Sequence, residues 1–106
     1  MGRAQVSRGE IWLIDLGLAQ KLRPAVIVSV DYFDHERALV AYVPRTTSLR
    51  GSRFEVPHQA QGFLPGAFDV QSLGSVPVVK LVRRIGKLDA AMMAKVETTI
   101  RLWLGL

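Results

Sequence analysis

The sequence predicts a mainly β fold with one C-terminal α-helix. Three observations predict it: apolar residues fall in short runs, turn formers interrupt those runs throughout, and helical spacing emerges only near the end of the chain. The 106 residues match the size of one domain, so 1–106 reads as a single unit with no linker or repeat. Hydrophobic residues make up 49% and mean hydropathy is positive, which supplies a core and excludes a disordered chain.

The elements follow in order. Residues 9–16 start with a turn former and alternate loosely through Ile11, Trp12, Leu13 and Ile14, which suits a first strand. Residues 16–23 read as loop. Pro24 pushes Arg23 toward extended geometry, and 25–30 is a β-branched run with almost no polar face, as a central strand should be. After the polar turn at 31–37, residues 38–43 form a third strand stopped by Pro44. Residues 53–56 alternate as an edge strand before Pro57, and 67–71 and 78–82 supply two more strands separated by Gly74 and Pro77. The helix begins after Leu88, because Asp89 is a good N-cap and Leu88 and Met93 stand at the two positions of a hydrophobic staple; it ends at Gly105. Met92, Met93, Val96, Ile100, Trp103 and Leu104 form an apolar stripe for the sheet or a second subunit, while Lys95, Glu97 and Arg101 point away, with Glu97 and Arg101 at i,i+4 spacing.

Composition narrows the function classes. Cysteine is absent, which removes disulfides, thiolate zinc sites and cysteine nucleophiles and suits a reducing cytoplasm. The first residues are basic, but no apolar segment follows them and no run approaches the ~18 residues of a membrane span, so neither export nor a membrane partner is expected. Fourteen Lys+Arg oppose nine Asp+Glu, and ten of the fourteen are arginine, whose planar fork suits phosphate. A net charge of +5 is equally what a basic, merely solubilising surface would carry.

Three polar constellations stand out, and none is a metal-ligand set, a phosphate-binding glycine loop or a Ser/His/Asp signature, so no cofactor and no metal are expected. His35 and His58 fall in segments read as loops, as surface histidines do. The first constellation is Lys21-Leu22-Arg23-Pro24, where the proline gives Arg23 a rigid platform; an arginine beside a proline is also an ordinary solvated residue. The second, residues 44–53, gathers Arg45, Arg50 and Arg53 with Thr46, Thr47, Ser48 and Ser52. It offers charge and donors for phosphate and ribose, or else forms a polar hairpin with a basic rim. The third is Asp69-Val70-Gln71, whose two polar side chains would share one strand face and line a groove, or serve as a strand-end anchor.

Read in order, Arg8-Gly9-Glu10-Ile11-Trp12, Leu22-Arg23-Pro24-Ala25-Val26-Ile27-Val28, Val43-Pro44-Arg45-Thr46-Thr47-Ser48, Ile85-Gly86-Lys87-Leu88 and Leu102-Trp103-Leu104-Gly105-Leu106 resemble the MazF/PemK toxins of type II toxin–antitoxin systems. The resemblance runs from about Arg8 to the C-terminus. It implies an SH3-like small β-barrel of the CcdB/MazF toxin type with a C-terminal helix, a homodimer, and a cognate antitoxin protein as partner. The implied activity is metal-independent, sequence-specific cleavage of single-stranded mRNA, leaving 2′,3′-cyclic phosphate and 5′-hydroxyl ends. It also implies Arg23 and Thr46 as the catalytic pair, with Thr47 competing for the second role. Asp69 and Gln71 would be catalytic or RNA-binding, and Lys21, Arg45, Ser48, Arg50 and Arg53 would bind RNA. Two departures stand out. The loop between the first two strands is shorter than in typical members, and Phe68-Asp69-Val70-Gln71 replaces the direct Asp-Gln of many relatives, without the arginine that some carry before it. Two alternatives stay open: a non-catalytic toxin similar to the CcdB gyrase poisons, acting through the helix end near Trp103, and an RNA-binding module without activity.

Overall fold

The computed structural model describes residues 6–17 and 22–106. These form β1 (Glu10–Asp15), β2 (Leu22–Ile27), β3 (Leu39–Thr46), β4 (Glu55–His58), β5 (Gly66–Asp69), β6 (Gly74–Pro77), β7 (Leu81–Lys87) and α1 (Ala90–Leu104). Single 3-10 turns, Val70–Ser72 and Val78–Lys80, follow β5 and β6. Every pairing is antiparallel, in the order β4-β5-β3-β2-β1-β7, with β6 also on β3. Among the described residues the terminal strands β4 and β7 do not pair, so the expected barrel is an open, barrel-like sheet.

β3 is the pivot. Leu39 to Tyr42 pair with β6, whereas Arg45 and Thr46 pair with Phe68 and Ala67 of β5. The expectation that Pro44 stops this strand is therefore wrong. Pro44 sits where β3 exchanges neighbours, a place where its missing N–H leaves no gap in a continuing ladder. β2 starts at Leu22, before Pro24, and ends at Ile27, short of the expected Val30. At its end Ser29 Oγ, in place of a main-chain carbonyl, accepts the Ala41 N–H at 2.9 Å, and regular pairing stops.

The other boundaries shift for similar reasons. Residues 53 and 54 lie in a turn, and β4 runs on through Pro57, which an edge strand tolerates. The strand expected at 67–71 ends at Asp69. The one expected at 78–82 divides into a 3-10 turn and the start of β7, whose exposed Arg83 and Arg84 hide its strand character in the sequence. Among the described residues β7 pairs only with β1, and charged side chains on such an edge discourage pairing with another chain.

β2 is buried on both faces, as its continuous apolar run requires. Val26 joins Ile11, Val43, Val56, Phe68, Val70, Leu88, Met93 and Val96 in one cluster, while Ala25 and Ile27 join Ile14 and Val40 in another. α1 covers the first cluster with Met93 and Val96, and Met92 and Ile100 pack at its margin. The stripe then runs out into solvent: Trp103 is 41% and Leu104 51% exposed. Glu97 forms its ion pair with Arg8 instead of continuing to Arg101.

The helix start is as expected, with Asp89 Oδ1 accepting the Met92 N–H at 2.8 Å and Leu88 packed in the same cluster as Met93. Asp89→Ala should cost about 1 kcal/mol, read as a lower urea midpoint with an unchanged denaturant slope. An unchanged midpoint would mean that the staple alone fixes the helix start.

Candidate active site

β2 and β3 pair through Ala25↔Pro44, Val26↔Val43 and Ile27↔Tyr42. Continuing that register by two places sets Arg23 opposite Thr46, but the ladder stops at Ala25↔Pro44. Pro24 and Pro44 both lack an N–H, and β3 leaves for β5 at Arg45. Where the two strands part, a cleft of about 480 Å³ opens, lined by Arg23, Pro24, Arg45, Thr46, Thr47 and Ser48. Its volume is in the range of a small-ligand site.

Within the cleft Arg23 is half-buried and its guanidinium Nη2 donates to the Arg45 carbonyl at 3.2 Å. Thr46 Oγ1 accepts the Ser48 N–H at 3.0 Å, which turns the chain and leaves the hydroxyl proton of Thr46 available to donate. Thr47 and Ser48 are exposed. A cation thus faces hydroxyl donors across one opening, an arrangement that binds an oxyanion.

Arg45 departs from the role expected of it. It is only 5% exposed, and its guanidinium is tied inward: Nε donates to His58 Nδ1 at 2.8 Å, Nη2 donates to the His58 carbonyl at 2.7 Å, and the group lies 4.9 Å from the Phe63 ring centroid. The guanidinium is thus engaged by His58 and Phe63, although Arg45 also lines the cleft. His58 likewise is no loop histidine. It ends β4, is 6% exposed, and packs against Phe63 and Phe68. Burial, and then the Arg45 charge, push its pKa below the ordinary 6.5, so it stays neutral with Nδ1 as acceptor and the proton on Nε2. Burial also lowers the Arg45 pKa, but a guanidinium keeps its charge at any working pH. His35, by contrast, lies in an exposed turn beside Phe33.

The remaining expected residues are dispersed. Arg50 and Arg53 are exposed on the loop after β3 but do not line the cleft, and Arg53 stacks on Phe54, 4.6 Å from its centroid, next to Trp103. Asp69 accepts from Ser72 Oγ at 2.8 Å, and Gln71 lies exposed on the 3-10 turn, so they share no strand face and neither lines the cleft. Lys21 lies outside the described residues. Glu55, which the sequence gave no reason to single out, accepts the N–H groups of Arg50 at 3.0 Å and Gly51 at 2.9 Å and so folds the loop that carries Thr47 and Ser48. Among the described residues no group of His, Asp and Glu converges as a metal site, and no helix is long and apolar enough to cross a membrane.

Residues 7–104 match the family described as PemK-like, MazF-like toxins of type II toxin-antitoxin systems. The chain belongs to that family. A mycobacterial endoribonuclease solved in complex with its cognate antitoxin is similar to this MazF-like toxin at 27% identity and a TM-score of 0.82, over 95% of this chain and 96% of that one. The Mycobacterium tuberculosis toxin MazF-mt6 is 28% identical with a TM-score of 0.78, over 92% and 97% of the two chains. A chain of the MazE-MazF complex from Deinococcus radiodurans, at 19% identity and a TM-score of 0.80 over 95% and 96%, shares the fold.

Proposed function

We propose that this MazF-like toxin is an endoribonuclease that cleaves single-stranded mRNA without a metal ion, in the cleft between β2 and β3. The observation that carries the reading is that Arg23 and Thr46, far apart in sequence, line one opening created by two prolines. The mycobacterial endoribonuclease of the same fold supports it at 27% identity.

RNA brings its own nucleophile, the 2′-hydroxyl. The enzyme has to let the 2′-hydroxyl lose its proton as that oxygen attacks the phosphorus in line, stabilise the pentacovalent phosphorane and let the 5′-oxygen leave with a proton. Arg23 would place its fork on the non-bridging oxygens, where negative charge grows as the P–O bond forms. Thr46, whose oxygen already accepts the Ser48 N–H, would donate a hydrogen bond to the same phosphate. Thr47 and Ser48 would contact the neighbouring phosphate or ribose, and exposed Arg50 and Arg53 would extend the basic track. A 2′,3′-cyclic phosphate and a 5′-hydroxyl are the products of this route.

The toxin is further proposed to pair with a second copy through the exposed end of α1, where Leu102, Trp103, Leu104 and Leu106 meet solvent, and to be held by an antitoxin whose acidic segment competes for the arginines. The mycobacterial toxin above was solved with its cognate antitoxin.

The deciding experiment incubates an unstructured RNA and a duplex RNA with the protein in excess chelator. Cleavage of the single strand to cyclic-phosphate ends is expected. The duplex should resist, because stacking holds its 2′-hydroxyls away from in-line attack. Activity that appears only on adding a divalent ion would overturn the mechanism.

A further inference from the structure

His58 and Arg45 connect the interior to the cleft through one short path. His58 Nδ1 accepts from Arg45 Nε at 2.8 Å and its carbonyl accepts from Nη2 at 2.7 Å, so two donors of the guanidinium are held by one residue of β4. The main chain of Arg45 then presents the carbonyl that accepts from Arg23 Nη2 at 3.2 Å, and the next residue is Thr46. Gly66 packs closely against both residues: a Cβ there would lie 2.5 Å from the Thr46 carbonyl oxygen and 2.8 Å from Arg45 Nη1. We infer that the His58–Arg45 pair is a buried positioning element for the cleft, in which neutral His58 fixes Arg45, Arg45 in turn fixes Arg23 and Thr46, and a proton on His58 Nδ1 undoes the arrangement.

The chemistry of the last step is simple. Protonated imidazole donates from both nitrogens, so a proton on Nδ1 would face the Arg45 Nε–H at 2.8 Å, donor against donor and cation against cation. The surroundings offer no relief. β5 and the loop before it present the rings of Phe68 and Phe63, and the charge acting on His58 is that of Arg45. Burial and that charge keep the imidazole neutral to a pH below the ordinary 6.5, so the site is assembled at neutral pH and comes apart in acid. The sign for stability is the same. A depressed folded-state pKa contributes stability that is intact above 6.5 and is lost as pH falls from there through the folded value.

The kinetic consequence rests on the nuclease reading above, whereas the structural one does not, and two measurements separate them. In a ¹H–¹⁵N titration of the intact chain from neutral pH downward, the Arg45 and Thr46 amides and the Arg23 Nε–H should move with the midpoint of the His58 ring nitrogens. If His58 titrates while Thr46 and Arg23 stay still, or stays neutral until the chain unfolds, the proposal fails. In cleavage assays, His58→Ala should lower kcat about tenfold with KM within about twofold, the pattern of misplaced groups. His58→Asn, whose Oδ1 can accept from Arg45 Nε without titrating, should recover most of that loss and flatten the acid limb of the kcat profile. A His58→Asn profile with the wild-type acid limb would overturn the proposal. A wild-type chain that cleaves no RNA at any pH would instead end the nuclease reading and leave the titration to decide the positioning.

Discussion

Arg23→Ala is expected to lower kcat on single-stranded RNA by about a hundredfold, on the order of 3 kcal/mol, with a melting temperature close to wild type. Arg23 lines the cleft, and its side chain donates a 3.2 Å hydrogen bond to the Arg45 carbonyl at the cleft wall. Its removal therefore opens no core cavity. In the phosphorane, by contrast, its two parallel donors meet charge that is absent from the ground state, so the loss should fall on kcat more than on KM. Arg23→Lys separates charge from geometry, since an ammonium keeps the cation but not the fork and should recover only part of the rate. Parallel rate measurements and thermal melts check both variants. Full activity in Arg23→Ala would remove this residue from the mechanism, and a collapsed melt would show a structural role instead.

How much of this site was legible beforehand depends on whether the controlling contact is local. The helix start was legible because cap and staple lie within six residues of sequence, from Leu88 to Met93. β2 was legible from its apolar run, although its end depends on Ser29 bonding to Ala41 across the sheet. Pro44 misled for a physical reason. A proline stops a strand that has a donor to lose, but β3 changes neighbours there and no donor is needed. Asp69 and Gln71 were expected on one face because a strand was assumed to continue, and the Val70–Ser72 turn breaks the period of two that the argument required. Arg23 and Thr46 were singled out by the motif they resemble, yet their place on one cleft depends on where β2 and β3 part, which no local pattern encodes. The burial of Arg45 was the least legible feature. Its partner His58 is thirteen residues away and reads, in sequence, as one more polar residue beside a proline.

Gly66→Ala should damage both stability and catalysis. An alanine at a strand glycine ordinarily gains several tenths of a kcal/mol by restricting the unfolded chain. Here the sign reverses. Gly66 pairs with His58, its neighbour Ala67 pairs with Thr46, and the added methyl would sit 2.5 Å from the Thr46 carbonyl oxygen and 2.8 Å from Arg45 Nη1. The first of these contacts is with backbone, which cannot swing aside as a side chain can. Either β3 and β5 separate at Thr46, or Arg45 is displaced from His58. Overpacking of this kind costs about 1–3 kcal/mol, which for a chain of this length lowers the melting temperature by roughly 4–12 °C. Because the strain is centred on the residue that carries the proposed catalytic hydroxyl, kcat should fall at least about tenfold while the protein remains folded at 25 °C. Gly9→Ala provides the comparison. At φ +93 it strains the backbone but meets nothing within 4 Å, so it should cost about 1 kcal/mol of stability and leave the cleavage rate near wild type. If the two variants lose stability together and both keep full activity, the packing of Gly66 against Thr46 has no part in placing the hydroxyl.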